Sequence, residues 1–148
     1  VIYIGAPHSS SEIHKRVISG LGANPEKDER LGRMRKLARK AKDAMFEGDW
    51  VTLGTTMNEN TVVQRMLHPD LVCPSFEEVI SIAGSYDALG CKVNGAGGDG
   101  GSITILSDGD MNRKRAMLRE LGDRFTVLPI LLARQGLRVW KTSPRPDR

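Results

Sequence analysis

Apolar positions recur at spacings of three and four along most of this chain and turn to alternation only after residue 90. Ile13, Val17 and Leu21 share one face of a first predicted helix. Ser9-Ser10-Ser11-Glu12 opens it, with Ser9 as the cap and Glu12 closing a capping box. Gly22, Asn24 and Pro25 end it. From Glu26 to Glu47, Leu31, Met34, Leu37, Ala38, Ala41 and Met45 form a second and stronger stripe, with charges on the opposite face. Gly48-Asp49 breaks that stripe. Asp49 caps a third helix carrying Trp50, Leu53, Met57, Val63 and Leu67, which stops before Pro69. Ser75 opens a fourth through Phe76, Val79, Ile80 and Ala83, ending near Gly90, and Asp110 caps a fifth through Leu121.

Short segments read as strands: Val1 to Ile4, Cys91 to Val93, Ser102 to Leu106 with Ile103 and Ile105 on one face, Phe125 to Leu132, and Leu137 to Trp140. Helices or one short loop separate them. The pattern predicts an α+β domain, with a small, largely antiparallel sheet and helices packed on one side. Residues 1–142 form the domain and 143–148 a loose tail.

A chain of 148 residues is long enough for one real core. No apolar run approaches the roughly 20 residues of a membrane helix. Val127 to Ala133 is the longest and is broken by Pro129. No basic start followed by an apolar block marks a secretory leader, so the expected location is cytoplasmic. The chain opens inside a strand without an initiator Met, which reads as a piece of a longer polypeptide or as a processed full-length protein.

The net charge is +4, with the excess gathered from Arg113 onward. Such a half suits an anionic partner or a solvated surface. No aromatics are interleaved with these charges as a nucleic-acid stacking surface requires, so no nucleic-acid partner is expected. Cys73 and Cys91 lack metal-ligand spacing and read as buried or incidental thiols. His8, His14 and His68 form no metal pattern, and nothing in the sequence orients His8 toward a nucleophile. No metal site is expected in this chain.

The informative stretch runs from Lys92 to Ser102. Five of the seven residues from Gly95 to Gly101 are glycine, the others being Ala96 and Asp99. Retaining them between two strands points to positive φ angles or close backbone approach. Successive amides in such a loop form a concave anion site; a plain hairpin loop is the other reading. The segment lacks the Gly-Lys-Ser/Thr ending of a P-loop, and a strand follows it where a dinucleotide loop needs a helix. Lys92 reads as a phosphate or substrate cation or as an exposed strand lysine. Asn94 either caps the loop or meets substrate. Asn60 and Gln64 share a helical face, pointing into a cleft or forming a polar surface stripe.

Lys92-Val93-Asn94-Gly95-Ala96-Gly97-Gly98-Asp99-Gly100-Gly101-Ser102, followed by Ile103-Thr104-Ile105-Leu106, resembles the third motif of the GHMP kinases. Pro7 to His14, Met57 to Pro69, Leu128-Pro129-Ile130 and Gly136 to Trp140 resemble the same C-terminal domain in galactokinase-related sugar kinases. The resemblance implies a ferredoxin-like α+β fold with a four-stranded sheet and extra helices. It implies that Gly95, Ala96, Gly97, Gly98, Gly100, Gly101 and Ser102 line the phosphate side of a kinase cleft. It implies ATP and Mg²⁺ as cofactors and a hexose- or heptose-type alcohol as substrate of the parent enzyme. The family's ATP loop and catalytic Asp and Lys lie in an N-terminal domain that these residues do not include, so the chain alone is expected to be inactive. Asp99 departs from the family's loop and is left off the phosphate contacts. A stand-alone metabolite- or phosphate-binding module on the same fold is the alternative.

Overall fold

A computed structural model of the chain describes residues 1–5, 10–22, 24–131, 133 and 135–141. The Ser9 cap, His8 and the tail 143–148 lie outside the described residues. The elements run β1 (Ile2–Tyr3), α1 (Ser10–Ser19), α2 (Glu29–Glu47), α3 (Trp50–Leu67), α4 (Pro74–Ser85), β2 (Gly90–Val93), β3 (Ser102–Leu106), α5 (Met111–Gly122) and β4 (Thr126–Val127). Two 3-10 turns, Pro25–Lys27 and Pro69–Leu71, precede α2 and α4. The fold is α+β, with one four-stranded antiparallel sheet in the order β2-β3-β1-β4.

Alternation along the strands explains the layering. Ile2 stands opposite Ile103 and Val127, Val93 opposite Ile103, and Cys91 opposite Ile105. This apolar row shares one core with Phe76 and Val79 of α4 and Met117 and Leu121 of α5. Full burial of each such side chain stabilises by about 1.5–3 kcal/mol. The other face carries Tyr3, Lys92, Ser102, Thr104 and Thr126, as expected of a sheet covered on one side.

Helix α3 follows the outer edge of β2 rather than the sheet's apolar face. The Cys91 N–H donates to Asn58 Oδ1 at 2.8 Å, and the Thr61 hydroxyl donates to the Cys91 carbonyl at 3.0 Å. Those two side chains stand where a neighbouring strand would. Helix and strand approach this closely because two glycines meet. A Cβ on Gly90 would overlap the Gly54 carbonyl, and one on Gly54 would overlap the backbone of Leu89.

Several expected boundaries move for local reasons. Helix α2 begins at Glu29 rather than Glu26, because Pro25–Lys27 forms a 3-10 turn and the Asp28 carboxylate accepts from the Arg30 and Leu31 amides. Cys73, followed by Pro74 at the first helical position, stands at the α4 N-terminus in place of Ser75. Helix α4 stops at Ser85, before a turn in which Asp87 takes φ +55°. The expected strand 125–132 shrinks to Thr126–Val127, since Pro129 brings no ladder donor. The expected strand 137–140 is not formed. Leu137 and Val139 are 95% and 84% exposed, with no partner strand among the described residues.

Candidate functional site

The loop from Asn94 to Gly101 leaves β2 and returns as β3. Its mouth is closed by the Asn94 N–H on the Ser102 carbonyl (2.9 Å) and by the Asn94 carboxamide, whose Nδ2 donates to Ser102 Oγ and Thr104 Oγ1 at 3.0 Å each. Asn94 and Ser102 therefore act as a clip that sets the loop's width, the structural side of the two readings of Asn94.

Gly97 and Gly98 take successive φ values of +64° and +94°. A Cβ on Gly97 would overlap the Leu71 carbonyl oxygen, and the Gly98 N–H donates to that same oxygen at 3.4 Å. These two glycines seat the loop on the 3-10 turn Pro69–Leu71. Beside the expected phosphate lining, the missing side chain of Gly97 serves packing, and the amide of Gly98 is already engaged by the Leu71 carbonyl. Among the described residues, the amides of Gly95, Ala96, Gly97, Asp99, Gly100 and Gly101 donate to no backbone or side-chain acceptor. Gly97 and Gly100 are nonetheless buried, and buried unpaired N–H groups are rare. A loop of unpaired donors can receive anionic oxygens. It offers no comparable set for a cation, as Asp99 is exposed and no group of three His, Cys, Asp or Glu side chains gathers among the described residues.

Lys92 is half-buried on the polar sheet face, opposite Thr104, and its ammonium donates to the Val93 carbonyl at 2.9 Å. Burial pulls its pKa below the ordinary lysine value. From α3, Gln64 reaches the loop: its Nε2 donates to the Gly95 carbonyl at 3.4 Å. Gln64 is only 4% exposed, and its Oε1 has no partner; Asn60 Oδ1, one turn earlier, is likewise buried and unpartnered. Gln64 is therefore no surface polar stripe. Sequence reasoning placed Asn58 on the same helix as Asn60 and Gln64 but not its role at the β2 edge, and it missed Thr61 and Leu71, which position β2 and the loop. The proline opening the turn before Leu71 was the available signal.

Two cavities among those lined by the described residues flank the domain. One of about 200 Å³ lies among α3, α4 and β2, lined by Asn58, Val62, Arg65, Ile80, Gly84 and Cys91 among others. One of about 350 Å³ lies beside Tyr3–Gly5 and Gly122–Thr126. The glycine loop lines neither. Part of the basic C-terminal half is neutralised locally: Arg113 pairs with Asp108 at 2.7 Å and also with Asp87 and Asp110, and Arg124 pairs with Glu78.

Residues 34–124 match the family model described as GHMP kinases C terminal. No curated protein matches significantly. Among solved structures, L. major mevalonate kinase in complex with R-mevalonate is similar in fold, with a TM-score of 0.70 and 23% identity. The similarity covers 83% of this chain and 37% of that kinase, so the chain spans little more than a third of that relative.

Proposed function

From the premise that this chain belongs to the GHMP kinase family, whose C-terminal domain it carries, we propose that it completes the cleft of an ATP-dependent kinase acting on a small alcohol of the sugar type. The observation that supports this reading is the loop Gly95–Gly101, whose amides other than that of Gly98 lack protein acceptors among the described residues while part of it is buried. Phosphoryl transfer depends on positioning and on neutralising the moving phosphoryl group, and unpaired amides do both for phosphate oxygens. In this reading the amides of Gly95, Ala96, Gly97, Gly100 and Gly101 meet phosphate, Lys92 adds a cation behind them, and Mg²⁺ is held by residues outside this chain. ATP, the catalytic groups and most of the alcohol site come from an N-terminal lobe. The location is cytoplasmic, and no nucleic acid is a partner.

The test has two parts. Titration of the 148-residue chain with inorganic tripolyphosphate, followed by amide NMR, is expected to shift Gly95–Gly101 first; shifts confined to surface lysines refute the loop's role. The chain given ATP, Mg²⁺ and a panel of hexoses, heptoses and R-mevalonate is expected to phosphorylate none. A polypeptide extended upstream of Val1 by an ATP-loop lobe is expected to phosphorylate a sugar. Turnover by the 148 residues alone refutes the division of labour, and a preference of the extended protein for mevalonate refutes the substrate class.

A further inference from the structure

We infer that Asn60 and Gln64 form a paired acceptor site for hydroxyl groups of a neutral polyol, between α3 and the glycine loop. The inference rests on the kinase reading above for the identity of that polyol as substrate, but its geometry stands independently. A buried carbonyl-type oxygen without a donor is destabilising, and native folds seldom keep one. Here two occur on one helix face, at positions four apart, where side chains lie about 5–6 Å from each other. The orientation of Gln64 is not arbitrary. Its Nε2 must face the Gly95 carbonyl, because the reversed amide would set oxygen against oxygen; Oε1 is thereby left without a donor.

The missing group is a donor, and a hydroxyl fits better than a cation. The charged group closest along the adjoining strand is the half-buried Lys92, itself a cation, and neither acceptor carries charge. The cover over Gln64 is lightly held. The Gln64–Gly95 and Gly98–Leu71 hydrogen bonds are both 3.4 Å, well beyond the usual 2.9–3.0 Å. A hydroxyl-bearing guest therefore enters by breaking these two long hydrogen bonds, while the Asn94–Ser102 clip and the Ile4 N–H on the Gly101 carbonyl (3.0 Å) keep the loop's ends in place.

The experiment follows the side-chain amide resonances of Asn60 and Gln64 in the 148-residue chain while myo-inositol is added, with dimethoxyethane as a control that has ether oxygens but no hydroxyl donor. Saturable shifts at both residues with the polyol only are expected. Asn60→Leu and Gln64→Met, which remove the orphan oxygens at similar volume, are each read at the amide that remains, Gln64 in the first and Asn60 in the second; loss of its shift and a higher urea unfolding midpoint are expected. A purely structural pair behaves in the opposite way: either variant lowers the midpoint and leaves the response to myo-inositol as it was, and that result overturns the proposal. So does an absent response in the wild type, or an equal response to dimethoxyethane. Tripolyphosphate shifts at Gly95–Gly101 serve as the separate readout. Their absence beside intact polyol shifts removes the loop's phosphate role while leaving this site standing.

Discussion

Gly97 and Gly95 both have left-handed backbones, at φ +64° and +61°, yet their surroundings differ. Gly97 presses on the Leu71 carbonyl, whereas nothing lies within 4 Å of a Cβ on Gly95. Gly97→Ala is expected to destabilise the domain by about 3 kcal/mol, from backbone displacement and an unfavourable φ together. Gly95→Asn is expected to cost less than about 1 kcal/mol, since asparagine tolerates this conformation. Urea unfolding of the two variants measures the contrast; equal losses would mean that the Leu71 contact does not hold the loop. Cys91 supplies a second residue-level expectation. Burial pushes its thiol up to about 11 from an ordinary 9.0. A raised folded pKa gives stability that is intact below pH 9.0 and is lost as pH climbs toward 11, because the unfolded thiol ionises first. The loss is on the order of 2 kcal/mol. Lys92, whose pKa is lowered by burial, acts with the opposite sign near the top of that window. The clean measurement is therefore the difference in urea midpoint between wild type and Cys91→Ala across pH 8–11, expected to shrink with rising pH.

At the scale of elements, the seam between α3 and β2 decides how the sheet ends. Asn58 and Thr61 occupy the edge groups of Cys91, which would otherwise be open to another strand. Asn58→Leu leaves the Cys91 amide without a partner, a loss of about 1–3 kcal/mol. It is also expected to promote concentration-dependent self-association, read by sedimentation; a monomer at all concentrations would show that the edge is guarded by something else. The helices themselves were legible from the sequence. Helical spacing in 29–47 and 50–67 and the caps at Asp49 and Asp110 all reappear. The loop was legible too, because glycine density is a backbone signal. What could not be read was which glycines serve packing and which leave amides free, since that depends on Leu71, more than twenty residues away. The seat of α4 on Cys73-Pro74 was hidden by a better-looking cap at Ser75, and the guards of β2 were hidden because asparagine and threonine inside a helix look like surface residues.

For the whole molecule, the division into a firm body and a thin end matters most. The core runs continuously from β1 through α4 and α5, while Leu131, Leu137, Val139 and Trp140 are 98%, 95%, 84% and 77% exposed. Strand-like patterning was present there in the sequence, but pairing is a property of two segments, and no second segment meets this one among the described residues. Deleting residues 136–148 is expected to leave the unfolding midpoint unchanged and to reduce binding of a hydrophobic dye; a clear fall in midpoint would mean that the end contributes to the core. The place where Gly54 and Gly90 touch has a different consequence. Backbone rests on backbone there, so any side chain at either position acts as the same wedge. Once the wedge is in, a second has little left to prise apart, so the pair should be strongly sub-additive in a double-mutant cycle. Trimming the one side chain at the contact, Leu89, does not restore the fit, because the tightest approaches are to the backbone of Leu89 and Gly54.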